Sequence, residues 1–405
     1  MKQGWEVRKL GDVCELINRG VSPKYTETDG LIVLNQKCIR NHEVNYELAR
    51  THDSKVKPVS HEKLIQIGDV LINSTGTGTL GRVAQIRDEP NHATVDSHIT
   101  IVRPLANVFY NDFFGYALIL IEEEIAKRGE GCGGQTELAR STLKNEFNIS
   151  YPKSLPEQQR IVAILDEAFA AITQAKANAE QNLKNDKELF ESYLQSVFEN
   201  KGEGWEVKKL GDICELKSGT TISPSLERIE GDVLYVKVGD MNLPNNEVEI
   251  TTSSRFVNSN EIKINQIIPE GAIIFPKRGG AIATNKKRKI IKPTIVDLNT
   301  MAIIPSKRVD KDYFFHWFQL FDLNSISNGA NIPQINNYSF YEVYFPYPIS
   351  LKEQQTIVQK LDALSTETKQ LVAIYQQKIN DLDELKKSIL QKAFAGELNT
   401  TTLEV

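Results

Sequence analysis

The chain is written twice. The stretch Gly4-Trp5-Glu6-Val7-Arg8-Lys9-Leu10-Gly11-Asp12-Val13-Cys14-Glu15-Leu16 returns as Gly204-Trp205-Glu206-Val207-Lys208-Lys209-Leu210-Gly211-Asp212-Ile213-Cys214-Glu215-Leu216. Further along each half, Leu155-Pro156-Glu157-Gln158-Gln159-Arg160-Ile161-Val162 is answered by Leu351-Lys352-Glu353-Gln354-Gln355-Thr356-Ile357-Val358. Weaker echoes fall between them in the same order: Val95-Asp96 with Val296-Asp297, and Asn111-Asp112-Phe113-Phe114 with Lys311-Asp312-Tyr313-Phe314. A repeat of this length governs the architecture before any local signal does. The halves match at their ends and differ in their middles.

Each half changes texture once. Up to about Pro152, and again from Gly204 to about Pro348, short apolar runs such as Leu31–Leu34, Val70–Ile72 and Ala272–Phe275 alternate with Gly, Pro, Asn and Thr clusters. That is the pattern of strands and loops. Helical spacing is interspersed at Asp112–Lys127 and Asp312–Phe321. After Pro156 and Leu351 the punctuation stops. Apolar residues then recur at helix period through Ile161, Leu165, Ala168, Ile172, Ala175, Ala179 and Leu183, and, past a polar break at Asn182 and Asp186, through Phe190, Tyr193 and Val197. The second seam runs through Ile357, Leu361, Leu364, Leu371, Tyr375, Leu382, Leu385 and Ile389.

Each long helix carries acid in its first turn, which suits the positive end of the dipole. A stripe this narrow needs a partner along its face. The expectation is an α+β chain: two β-rich heads in tandem, each followed by a long helix, the two helices pairing as an antiparallel coiled coil. The segments are 1–152, 153–200, 201–348 and 349–405. The alternative is that each helix folds back on its own head.

At 405 residues, two or three domains are expected. No run approaches the roughly 18 apolar residues of a membrane span, and the opening residues lack an export signal, so a cytoplasmic protein is expected. The cysteines Cys14, Cys38, Cys132 and Cys214 have neither zinc nor redox spacing and read as reduced packing residues. The net charge of -5 argues against a nucleic-acid partner, but it is an average. Between Lys277 and Lys292 the chain holds Lys277, Arg278, Lys286, Lys287, Arg288, Lys289 and Lys292 without one acid.

Gly76-Thr77-Gly78-Thr79-Leu80-Gly81 matches G-x-G-x-x-G, yet a dinucleotide site requires a helix next. Here Arg82–Arg87 alternates like a strand. The loop therefore reads as backbone open to a phosphate or groove, or as a tight turn with no partner. Asn18-Arg19-Gly20 and Lys217-Ser218-Gly219 close the two opening blocks with a base and a glycine, suited to phosphate contact or to turn chemistry alone. The candidate DNA-contacting set is Asn18, Arg19, Ser74, Thr75, Thr77, Thr79, Arg82, Lys217, Lys277, Arg278, Lys286, Lys287, Arg288 and Lys289. His98 beside Asp96 faces Asn299 in the other copy and reads as a packed or exposed histidine rather than a metal or catalytic one. No catalytic motif occurs, so no catalytic or metal residue is assigned.

The opening block, the Leu-x-Glu-Gln-Gln-x-Ile-Val helix start and the closing Ser388-Ile389-Leu390-Gln391-Lys392-Ala393-Phe394-Ala395-Gly396-Glu397-Leu398 closely resemble the specificity subunits of type I restriction-modification enzymes. The resemblance spans the whole chain, in two copies. It implies that each head is a target-recognition domain reading one half of a split site on double-stranded DNA. It implies that the helices are a spacer on which two modification subunits dock, bringing S-adenosylmethionine, with restriction subunits completing the nuclease. This chain itself would bind no cofactor. The competing readings are an enzyme acting on DNA through an unrecognised site and a coiled-coil scaffold without a nucleic-acid role.

Overall fold

The computed structural model describes residues 3–27, 29–90, 92–130, 136–329 and 331–398; Cys132 lies outside them. The chain divides into two compact units, Met1–Ala179 with Gln377–Val405, and Glu180–Gln376. Each takes in one head and a part of both long helices, which run Leu155–Glu199 and Leu351–Ala395.

In the first unit the repeated opening block forms the strand Trp5–Lys9, which pairs antiparallel with Asn148–Pro152 in the register Trp5↔Pro152 to Lys9↔Asn148. The head is thereby closed where the helix begins. Its main sheet is antiparallel, ordered Cys14–Arg19, Ile99–Pro104, Val70–Asn73, Val83–Gln85. Because side chains alternate across a strand, Val70, Ile72 and Val102 enter one core with the helix Asn111–Leu120, while Leu71, Ile99 and Ile101 enter another. That second core is completed by the sheet Ala93–Val95, Leu31–Leu34, Arg50–His52, Tyr25–Thr26. A strand packed on both faces must be apolar throughout, which explains the unbroken run Val70–Ile72.

The second unit is built the same way. Trp205–Lys209 pairs with Tyr344–Pro348, register Trp205↔Pro348 to Lys209↔Tyr344. Its five-stranded sheet runs Cys214–Ser218, Thr300–Pro305, Ile273–Pro276, Arg288–Ile290, Glu249–Ile250. Ile273, Phe275, Met301 and Ile303 share a core with the helix Lys311–Leu320, and Ile274 and Ala302 share the other. Trp5 stands edge-on to Phe113 at 6.5 Å between ring centroids, and Trp205 to Tyr313 at 6.2 Å. Burial pushes both repeated thiols up, that of Cys214 to about 12, so Cys14 and Cys214 are packing residues.

The long helices pair antiparallel within each unit. In the first, Lys386 lies over the Phe169 ring and Lys176 bridges Asp383 at 2.7 Å, while Ile161, Leu165 and Ile172 share a core with Leu390, Ala393 and Phe394. In the second, the polar break expected at Asn182 donates to the Tyr375 hydroxyl at 3.3 Å, and Leu194 and Phe198 share a core with Val358 and Leu361. Two seam assignments shift. Leu194 and Phe198 are buried and the expected Val197 packs partly buried against the same core, but the expected Tyr193 is exposed, because the helix here turns toward Tyr313 of the head, 5.2 Å from the Phe198 ring. Leu385 is exposed, since the buried stripe steps through Leu382, Lys386 and Ile389 to Ala393.

At the start of each long helix, one buried glutamine per unit ties head to helix. Gln158, fully buried, donates from Nε2 to the carbonyls of Pro152 (2.9 Å) and Val108 (3.1 Å) and accepts from the Tyr110 N–H at 2.7 Å. Gln354 makes the same three bonds, to Pro348 (2.8 Å), Arg308 (3.2 Å) and the Asp310 N–H (2.7 Å). Each ties the first turn of a long helix to the closing strand and to the N-cap of the head helix. Alanine at position 158 strands three buried backbone groups, so Q158A is expected to cost about 2–4 kcal/mol at about 1–3 kcal/mol per unsatisfied group, with water restoring part. Denaturant unfolding of the full chain measures this. A loss under about 1 kcal/mol would show the glutamine to be dispensable.

Candidate nucleic-acid interface

The candidate residues gather at one end of the main sheet in each head. In the first, the glycine loop joins Val70–Asn73 to the antiparallel strand Val83–Gln85, so the helix of a dinucleotide site is absent at this place. Gly76 has φ +97°, and its carbonyl accepts the Leu80 N–H at 3.0 Å, closing the loop on itself. Three segments meet there. The Gly76 N–H donates to Thr136 and the Leu138 N–H to Ser74, at 3.1 and 2.8 Å, and Arg140 donates to Asn18 at 2.7 Å. His98 is exposed and its Nδ1 lies 2.8 Å from the Thr75 hydroxyl; Asp96 serves the turn by accepting the His98 backbone N–H at 2.9 Å.

The second head repeats three backbone bonds of this frame. Gly279 N–H donates to Pro333 as Gly76 does to Thr136, Ile335 N–H to Lys277 as Leu138 does to Ser74, and Lys277 N–H to Asn299 as Ser74 does to His98. The glycines ending the opening blocks are fixed by crowding: a Cβ on Gly20 would lie 1.9 Å from the Val95 carbonyl oxygen, and one on Gly219 1.8 Å from that of Asp297.

Several candidates are withdrawn from solvent. Ser74 is fully buried, its hydroxyl 2.5 Å from that of Thr100. Arg19 is held by Glu137 at 2.8 Å and the Leu138 carbonyl at 2.9 Å. Half-buried Lys217 donates to the Ile267 carbonyl at 2.9 Å. Lys289 bridges Glu249 and Asp312, both at 3.0 Å; burial pulls its pKa down, but these partners outweigh that and the net shift is upward.

Lys287 is the clearest correction. It is 1% exposed, its ammonium donating to the Phe321 carbonyl at 2.6 Å and Asn285 Oδ1 at 3.0 Å, so it fastens this segment to the end of the helix Lys311–Leu320. The run is free of acids in the sequence only, because Glu249 and Asp312 approach it from other elements.

Exposed or half-exposed at the loops are Asn18, Thr75, Thr77, Thr79, Arg82, Lys277, Arg278, Lys286 and Arg288. Arg82 donates to the Gly78 carbonyl at 3.0 Å and Lys277 to the Ser218 hydroxyl at 3.1 Å, while Lys286 bonds Asn242. Burial, then the neighbouring Arg278 charge, lowers the Lys277 pKa; burial lowers that of Arg288. Sequence reasoning missed the segments 136–140, 328–329 and 331–338 that complete the two surfaces, since only the fold brings them beside loops some sixty positions earlier. No group of three or more His, Cys, Asp or Glu arranged to hold a metal occurs among the described residues, nor is any helix among them long and apolar enough to cross a membrane.

Residues 2–184 and 202–382 each match the type I restriction modification DNA specificity domain. The chain is 26% identical over 427 residues to the type I restriction enzyme MjaIX specificity subunit of Methanocaldococcus jannaschii, covering 98% of this chain and 94% of that one. It is 28% identical over 207 residues to the StySPI specificity subunit of Salmonella potsdam, covering 49% of this chain and 44% of that one. Among solved structures it resembles the HsdS subunit from Thermoanaerobacter tengcongensis, with a TM-score of 0.65, 17% identity and coverage of 98% of both chains. A chain from a study of complex assembly and conformational transition of the type I R-M system gives a TM-score of 0.77, at 17% identity and coverage of 98% and 99%. The chain belongs to the type I restriction-modification DNA specificity family, whose subunits are non-catalytic.

Burial pushes the Lys287 ammonium down from 10.5 to about 8. Between about pH 8 and 10.5 the unfolded chain therefore binds more protons at this residue, and its contribution to stability rises with pH across that window, by up to roughly 3 kcal/mol. The rise should be absent from K287M. Urea unfolding of both proteins from about pH 7.5 to 10 checks it, and parallel pH profiles would show the ammonium to be solvated.

Proposed function

We propose that the chain reads a split site on double-stranded DNA, one half with each head, as the recognition subunit of a type I restriction-modification complex. The observation that carries this is the pair of superposable loop frames: the hydrogen bonds at Ser74–Gly76 with 136–138 and at Lys277–Gly279 with 333–335 coincide, while their side chains differ. A rigid frame with exchangeable loop residues is what two readers of different base sequences require.

In this reading Arg82, Lys277, Lys286 and Arg288 lie where phosphates would pass. Lys287 and Lys289 support the frame. The long helices, about 67 Å each at 1.5 Å per residue for 45 residues, form the spacer and the docking surface for two modification subunits. Exposed Leu189, Ile374 and Leu385 on those helices offer apolar contact area. S-adenosylmethionine would be carried by the modification subunits, restriction subunits would join that core, and the complex would work on DNA in the cytoplasm.

The test is an exchange of residues 1–152 for the equivalent unit of a relative, in a host that expresses the modification subunits. Methylome sequencing should show one half of the modified site changed and the other retained. A change in both halves, or in neither, would mean that the heads are not independent readers.

A further inference from the structure

The superposable frames make it possible to ask which side chains occupy equivalent places. Two isolated bridges define a small ladder beside each loop: Thr75↔Glu137 and Glu130↔Glu137 in the first head, Arg278↔Gln334 and Asn328↔Gln334 in the second. Thr75 thus corresponds to Arg278, Glu137 to Gln334 and Glu130 to Asn328. The backbone is kept and the chemistry is inverted: hydroxyl and carboxylates in one head, guanidinium and amides in the other.

The side chains left available differ accordingly. Arg278 is exposed and its guanidinium has no hydrogen-bond or ion-pair partner among the described residues. Beside it, Gln334 donates to Asn336 at 3.1 Å, and the Tyr338 hydroxyl accepts from Asn336 at 3.0 Å and Asn328 at 3.3 Å. With both lone pairs filled, that hydroxyl, on a side chain 59% exposed, has only its proton to offer outward. The second head therefore presents the Arg278 guanidinium and the Tyr338 proton as donors, beside the amide oxygens of Gln334 and Asn328. In the first, Glu137 is neutralised by Arg19, whereas exposed Glu130 has no side-chain partner among the described residues. That carboxylate accepts only.

In the major groove guanine shows two acceptors, O6 and N7, spaced for a guanidinium fork, and cytosine shows its N4 amino donor, which a carboxylate accepts. We propose that the two heads read bases with opposite polarity at this shared place, Arg278 taking a guanine in the second half-site and Glu130 a cytosine in the first. The inference rests on the reading of the chain as a two-headed DNA reader.

The full chain is co-expressed with its modification subunits in a host without adenine methylation of its own, and the methylome is sequenced. The wild-type motif, its halves assigned by the exchange of residues 1–152, must contain a guanine in the second head's half and a cytosine in the first head's. In R278A, discrimination at one guanine position should fall about 10- to 100-fold with the other half unchanged; in E130Q the same should happen at one cytosine of the opposite half. An undivided wild-type site would remove the parent reading and this one with it. A split site whose motif is unaltered in R278A overturns only the present inference. So does a uniform drop in methylation at every sequence with a shallower salt dependence of binding, the signature of a phosphate contact.

Discussion

A buried amide holds this architecture together. Gln158 and Gln354 each satisfy three backbone groups that the meeting of three elements would otherwise strand: the end of the closing strand, the start of the head helix and the first turn of the long helix. A carboxylate in its place could not donate, and an apolar residue would leave all three groups unsatisfied in the interior. Because the bonds converge on one side chain, the direction in which each long helix leaves its head is set by local geometry. The loops at the far end of the sheet, which differ most between heads, take no part in it.

The two-head organisation was legible because duplication is a global signal that needs no knowledge of contacts. The runs Leu31–Leu34 and Val70–Ile72 were legible as strands because packing on both faces leaves no place for polar side chains. The glutamines were visible as a repeated pair, but an acid-containing first turn explains Glu-Gln-Gln equally well, and only the fold shows the amide turned inward. At the helix ends, periodicity selected Tyr193, which is exposed, where the molecule buries Leu194 and Phe198, because a head's aromatic core joins the other helix as the partner there.

The site was less legible, for an electrostatic reason. Counting charges along the chain finds Lys286–Lys289 without acids, yet Glu249 and Asp312 come from strands and helices that the sequence places elsewhere. Lys287 goes further and becomes interior, its ammonium standing 5.3 Å from the centre of the Phe318 ring. Arg278, one residue in a two-base cluster, has its charge left unpaired among the described residues. Reach and partnership, which depend on the fold, separate these residues where composition treats them alike.

The five paired residues that close each head have a further consequence. Antiparallel pairing of Trp5–Lys9 with Asn148–Pro152, and of Trp205–Lys209 with Tyr344–Pro348, brings the chain in and out of a head at neighbouring points, about 5 Å apart across the ladder. Whatever lies between is a closed excursion from the main course of the polypeptide. Insertions, deletions or wholesale replacement within it leave the chain's onward direction untouched, and lengthening the excursion adds closure entropy only slowly. A lineage can therefore exchange such a head in a single recombination event, with the entry junction falling in residues that are nearly identical in both copies, Trp5–Lys9 and Trp205–Lys209, and the exit junction at a shared Tyr-Pro, Tyr151-Pro152 and Tyr347-Pro348.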